Sequence, residues 1–120
     1  MRITIVTPVF NSESFLAETI ESVIFQKGDF FLEYIILDNC SSDNSLNIAL
    51  QYQALLQIHP WLIKCQGVEI IVISEPDTGM YDAINKGFSK ATGEVYAYIN
   101  SDDIYLPGAL NTIANIFSDK

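Results

Sequence analysis

Three observations place this chain in the α/β class, as a three-layer α/β/α fold built on a mainly parallel sheet. β-branched apolar runs alternate with stretches of helical period, giving the order βαβαβαβα with no linker and no repeat. The runs are apolar at nearly every position, as in strands buried on both faces. All four runs end in polar or turn-forming residues: Thr7-Pro8, Asp38-Asn39, Ser74-Glu75 and Asn100-Ser101. Right-handed parallel crossovers bring such ends to one edge of the sheet.

The first strand, residues 2–7, stops at Pro8, which has no N–H to continue a ladder. Asn11 or Ser12 is placed to cap the following helix, whose Phe15, Leu16, Ile20, Val23 and Ile24 recur on one face until Gly28 ends it. Residues 33–38 form the second strand. The polar turn 39–44 then supplies caps for a helix carrying Leu46, Ala49, Leu50 and Gln53, which runs to about Ile58 and is broken by His59-Pro60-Trp61. Residues 69–74 are a third strand and 75–79 a loop. An amphipathic helix over 80–91 ends near Gly93, and the fourth strand spans 94–100. Pro107 fits the first turn of a last helix through Leu110, Ile113, Ala114 and Phe117.

At 120 residues the chain is the size of one domain, and 49% hydrophobic content supplies a core. The net charge of −9, with 15 acidic against 6 basic residues, argues against nucleic acid as a partner and against simple electrostatic attachment to an anionic membrane. Phosphate ligands stay compatible, because a divalent cation inverts the local field. Two cysteines, Cys40 and Cys65, make neither a disulfide framework nor a zinc site, so a reducing, cytoplasmic setting is expected. No stretch reaches the roughly 18 apolar residues of a membrane span. The apolar run at the N-terminus is too short for a signal peptide and is broken by Pro8.

The turn Asn100-Ser101-Asp102-Asp103 carries the chemistry. Two adjacent carboxylates at a strand end suit a hard cation, Mg²⁺ or Mn²⁺, and such a cation carries phosphate at its open positions. A solvated turn with Asp102 or Asp103 as a helix N-cap is the competing reading. Asp38, at another end of the same edge, weakens that competitor by adding a third carboxylate. The loops exclude other nucleotide folds: no G-x-G-x-x-G follows the first strand and no G-x-x-x-x-G-K-[ST] occurs. The acidic pair and late lysine of a phospho-receiver domain are absent as well.

Five pieces in order resemble the family 2 glycosyltransferases. Ile5-Val6-Thr7-Pro8-Val9-Phe10-Asn11 is similar to the family's opening T-P-x-[YF]-N. Glu33-Tyr34-Ile35-Ile36-Leu37-Asp38 with Ser41-Ser42-Asp43 resembles its second strand and S-x-D turn. Residues 79–87, from Gly79 through Asn85-Lys86-Gly87, resemble its glycine-led helix with N-x-G. Ala91-Thr92-Gly93-Glu94 matches A-x-G-E, and Asn100-Ser101-Asp102-Asp103 resembles the metal-binding D-x-D-D. The resemblance covers nearly the whole chain and implies a Rossmann-like, GT-A type fold, incomplete at the C-terminus.

It implies a donor that is a nucleotide-diphosphate sugar and a glycan or lipid-linked acceptor. Thr7, Pro8, Val9, Phe10 and Asn11 would cradle the nucleoside, with Phe10 a flat surface for base or ribose unless it packs in the core. Asp38 would accept from a base N–H, and Asn85 and Ser101 would line the donor site. Asn100 stands where the family more often has an acid; it suits a ribose hydroxyl. Asp102 and Asp103 would hold the metal, Asp102 carrying most of the coordination. Ile84 replaces the arginine that often precedes the Asn of N-x-G, so a phosphate contact is lost. Asp77 could serve a turn or the donor equally well, Asp82 and Lys86 are spaced as a helix pair, and His59 is assigned no chemistry.

A full GT-A domain is implied to be about twice this length, its second half holding the acceptor site and the carboxylate base that drives inversion. That base is expected beyond Lys120, so no catalytic residue is assigned within residues 1–120. The chain is therefore expected to be the nucleotide-sugar-binding part, residues 1–120, binding donor without turnover. In the full-length protein it would lie peripherally at the inner membrane face, and an exposed truncated face would promote self-association. A non-catalytic nucleotide-sugar-binding module is the alternative; a nucleotidyltransferase ranks last, for want of a basic Gly-rich loop.

Overall fold

The computed structural model describes residues 1–118; Asp119 and Lys120 lie outside the described residues. Its four strands, β1 (Arg2–Val9), β2 (Phe31–Asp38), β3 (Gly67–Ser74) and β4 (Val95–Tyr98), form one parallel sheet in the order β3-β2-β1-β4. Helices α1 (Leu16–Ile24), α2 (Ser45–Ile58), α3 (Met80–Lys90) and α4 (Ala109–Ser118) connect or follow them, with a short 3₁₀ turn at Pro60–Leu62. β1 runs against β2 from Arg2↔Phe31 to Val9↔Asp38, and β2 against β3 from Phe31↔Gly67 to Asp38↔Ser74. Parallel register places the C-terminal ends of these strands side by side, as the alternation of elements predicts.

The alternation of side chains across the sheet divides the core in two. Ile3, Ile5, Leu32, Tyr34 and Ile36 face Leu16, Ile20, Val23 and Ile24 of α1, Ala49 and Leu56 of α2, and Leu110 and Ala114 of α4. Val6, Ile35 and Leu37 face Ala83 and the half-buried Phe88 of α3. Helix α3 comes this close because position 87 is glycine: a Cβ there would sit 2.6 Å from Val6 Cγ1. This accounts for the glycine of the Asn85-Lys86-Gly87 motif by packing alone.

Five local expectations shift. Strand β1 does not stop at Pro8 but runs on to Val9, with Pro8 opposite Leu37. Helix α1 starts at Leu16, not beside Asn11, because Asn11 takes a left-handed φ of 49° and Ser12 opens a turn whose carbonyl accepts from Phe15 and Leu16 N–H. The helix also ends at Ile24, ahead of Gly28. Pro107 lies two residues before α4, with Gly108 at φ 86° between them. Strand β4 is shorter than the apolar run, although the Ile99 N–H still donates to Val6 O at 3.0 Å.

Candidate functional site

A cleft of about 580 Å³ opens at the C-terminal edge of the sheet. Pro8, Val9, Phe10, Phe15, Met80 and Ala83 give it an apolar part; Asn11, Ser12, Asn39, Asp77, Asn100, Ser101 and Asp102 give it an oxygen-rich part. No lysine or arginine among the described residues lines it. A volume of this size accommodates a nucleotide-sized ligand.

The loop after β1 is clipped to the loop after β2. Ser41 Oγ accepts from Asn11 N–H at 2.9 Å, and the Ser42 N–H donates to Asn11 Oδ1 at 2.8 Å. The Glu13 N–H donates to Asp43 Oδ2 at 3.1 Å, and the Ser12 N–H to Ser45 Oγ at 2.8 Å. The Asn11 side chain thus supports the loop as well as lining the cleft. Phe10 stands 60% exposed over the cleft, not in the core.

Thr7 is fully buried within β1, its hydroxyl 2.8 Å from the Tyr34 hydroxyl, and does not line the cleft. Asp38 is only 2% exposed. Its carboxylate accepts from the Ser41 hydroxyl at 2.5 Å, the Ser41 N–H at 3.2 Å and the Ser74 hydroxyl at 2.9 Å. It too lies outside the cleft lining that includes Asp102. Asn85 is exposed on α3, away from the lining.

In the acidic turn the Asp103 N–H donates to Asn100 O at 3.1 Å, and Ser101 Oγ meets Ser12 Oγ at 2.6 Å. Asp102 is exposed and faces the cleft. Asp103 lines a smaller neighbouring cleft with Tyr98, Ile104 and Tyr105. Asn100 borders both clefts, and its buried Oδ1 has no hydrogen-bond partner among the described residues. Among the described residues no three Asp, Glu, His or Cys side chains converge on one point. A hard cation here would therefore take Asp102 from the protein and the rest of its shell from phosphate oxygens and water, a usual arrangement for Mg²⁺. The base expected beyond Lys120 lies outside the described residues.

Ser12, Phe15, Asn39, Gly79, Met80 and Ala83 also line the cleft, although the sequence reading gives them no role in the site. The polar ones among them follow strand ends, and that position was the available signal. Asp77 lines the cleft, its Oδ1 accepting from Gly79 N–H at 2.9 Å. Asp82 is a local cap: it accepts from the Thr78 N–H at 3.0 Å and pairs with Lys86 at 3.3 Å.

Known proteins resemble this chain in sequence or in fold. An uncharacterized glycosyltransferase of Nostoc sp. is 33% identical over 119 residues, which is 98% of this chain and 33% of that protein. TarS of S. aureus (residues 1–349) has the same fold with a TM-score of 0.77 and 23% identity, over 99% of this chain and 33% of its own, and has also been solved with UDP-GlcNAc. The mannosyltransferase PcManGT of Pyrobaculum calidifontis, in complex with GDP-Man and Mn²⁺, superposes with a TM-score of 0.72 and 23% identity, over 96% of this chain and 31% of its own. The chain thus spans about a third of the length of each. The model of glycosyl transferase family 2 matches residues 4–120, and the chain belongs to that family.

Proposed function

We propose that residues 1–120 are the donor-binding part of an enzyme that moves a sugar from a nucleotide-diphosphate sugar to an acceptor hydroxyl, with inversion, in polysaccharide or glycan biosynthesis. The observation that carries this reading is the cleft, where an apolar surface and Asn100-Ser101-Asp102 meet at the strand ends. The UDP-GlcNAc complex of TarS and the GDP-Man complex of PcManGT, on the same fold, support it.

Phe10, Phe15 and Met80 would hold base and ribose by apolar contact, with Pro8 and Val9 presenting backbone beside them. The orphaned Asn100 Oδ1 is an acceptor ready for a ribose hydroxyl. Ser101 Oγ adds a second polar contact. Asp38 would act indirectly, through the Ser41 turn that clips Asn11. Asp102 would hold Mg²⁺ or Mn²⁺, with Asp103 adding its charge from the adjacent cleft. A cation held there would neutralise the diphosphate and stabilise the departing nucleoside diphosphate. The described lining holds no lysine or arginine, so no cationic side chain there shares that task. Acceptor site and base are assigned to none of these residues. Both cysteines are free, in keeping with a reducing compartment. The exposed Tyr98, Ile104 and Leu106 beside edge strand β4 support self-association of the isolated chain.

Calorimetric titration of UDP, GDP and CDP, with and without Mn²⁺, tests the donor site. Binding of UDP or GDP that strengthens with Mn²⁺ and is lost in Asp102→Ala is expected. No nucleotide bound in either condition, with Asp102→Ala silent, would refute it. A longer protein carrying these residues that binds donor yet transfers no sugar would favour the binding module.

A further inference from the structure

Helix α1 carries polar side chains at positions 19 and 22, and position 26 follows just past its end, the spacing of one helical face. Thr19 is fully buried and Gln26 5% exposed, amid the apolar positions that pack on the sheet. Burying hydroxyl and amide groups is unfavourable without partners. Besides Phe15 O, 3.4 Å from Thr19 Oγ1, and Ser22 O, 3.0 Å from Gln26 Nε2, their partners lie 80 to 84 residues away. Thr19 Oγ1 is 2.6 Å from Asp103 O and 3.0 Å from Ser101 O. The Tyr105 N–H donates to Ser22 Oγ at 3.1 Å. Gln26 Nε2 donates to Leu106 O at 2.9 Å, and Gln26 Oε1 accepts from Leu110 N–H at 3.3 Å.

Elsewhere the segment from Ser101 to Gly108 is held by the Ser101–Ser12 hydroxyl contact, the Asp103 N–H bond to Asn100 O and the half-buried Tyr105, while Asp102, Asp103, Ile104 and Leu106 are all exposed. A hydroxyl has one proton, so Thr19 can donate fully to only one of these carbonyls at a time. The Ser101 carbonyl belongs to the peptide plane that precedes Asp102, the Asp103 N–H bond to Asn100 O holds the plane that follows it, and the Asp103 carbonyl ties the next peptide to the same Thr19 hydroxyl, so Thr19 holds the turn on both sides of Asp102. We infer that Thr19 is a positioning residue for Asp102, aiming that carboxylate into the donor cleft, while Ser22 and Gln26 anchor the segment downstream. This rests on the donor-site reading above and adds the residue that orients its metal carboxylate.

The test compares Thr19→Val, which keeps shape and removes the hydroxyl, with Thr19→Ser, which keeps the hydroxyl. Two readouts are taken: calorimetry with UDP and GDP plus Mn²⁺ and with uridine and guanosine alone, and exchange of the Asp103 amide, which closes the turn, in the ligand-free protein. In Thr19→Val the Mn²⁺-supported affinity should fall about tenfold, as when a group that orients a metal ligand is lost. Nucleoside binding should stay within about twofold, because the apolar contacts are intact. The Asp103 amide should exchange faster, and Thr19→Ser should restore both. Unchanged amide exchange in Thr19→Val, or unchanged Mn²⁺-supported binding, overturns the inference. A wild-type chain indifferent to Mn²⁺, with faster exchange in Thr19→Val, instead overturns the donor-site reading and leaves Thr19 an anchor of the turn alone.

Discussion

The two edges of the sheet handle a carboxylate in opposite ways. At the N-terminal edge Glu33, 3% exposed, is closed in by the protein. Arg2 reaches it at 3.1 Å, the Thr4 hydroxyl at 2.8 Å, and the Thr92 N–H and hydroxyl at 2.8 and 2.9 Å. Arg2 also stacks over the Phe31 ring, 4.6 Å from its centroid. At the C-terminal edge Asp102 is exposed, and the neighbouring Asn100 Oδ1 lacks a partner among the described residues. A polar group fully supplied with donors holds strands together; one left without them is available to a ligand. Asp38 shows that position at the edge is not sufficient, since its oxygens are occupied by Ser41 and Ser74.

Breaking the closed edge should have the largest effect. Glu33→Ala leaves Arg2 and three donors facing a cavity and should lower stability by about 3 kcal/mol in urea unfolding, with Arg2 partly screened by solvent. Unchanged stability would deny the network its role. The same network sets a pH dependence. Burial opposes ionisation of Glu33, yet the Thr92 N–H, the Thr4 and Thr92 hydroxyls and Arg2 outweigh it and hold the carboxyl below its ordinary 4.5. The unfolded chain then binds this proton more readily, so the stability is complete above pH 4.5 and is lost as pH falls through the lower folded value. Glu33→Gln should flatten that acid limb of the stability curve.

Gly93→Ala comes next. A Cβ there would lie 2.6 Å from Thr4 Oγ1 and 2.9 Å from Arg2 O, so the loop entering β4 must shift, at about 2 kcal/mol of stability. A variant as stable as wild type would show that this loop is not tightly set. At the open edge the order of effects reverses between stability and binding. Asp102→Asn should weaken Mn²⁺-supported nucleotide binding about tenfold. Its unfolding midpoint should stay within about 0.5 kcal/mol of wild type, as for an exposed surface side chain. Loss of fold instead of binding would make Asp102 structural. Phe10→Ala should be smallest, a few-fold weaker for uridine and guanosine from about 1 kcal/mol of ring contact, measured by the same titration.

Much of this was legible along the chain. Near-continuous apolar runs and their polar ends located every strand and the edge where the cleft forms. Strand boundaries moved by a few residues where ladders extend past the apolar run, as at Phe31 and Gly67. The destinations of single side chains were less legible. Thr7 and Asp38 belong to matching motifs yet point into the fold, while Phe15 and Asn39 belong to none of the site readings and line the cleft. Asp102 and Asp103 are adjacent in sequence and face different clefts.

The sequence by itself determined the alternating α/β order, the common edge of strand ends and the family, because periodicity and turn chemistry are local properties of the chain. Only the tertiary structure decided which carboxylates are enclosed and which are free. That choice depends on donors supplied from 29 to 84 residues away, such as Thr4 and Thr92 for Glu33, or Thr19 for the turn that carries Asp102. Spacing along the chain does not encode those meetings; the packing of α1 and of the loop before β4 against the sheet creates them.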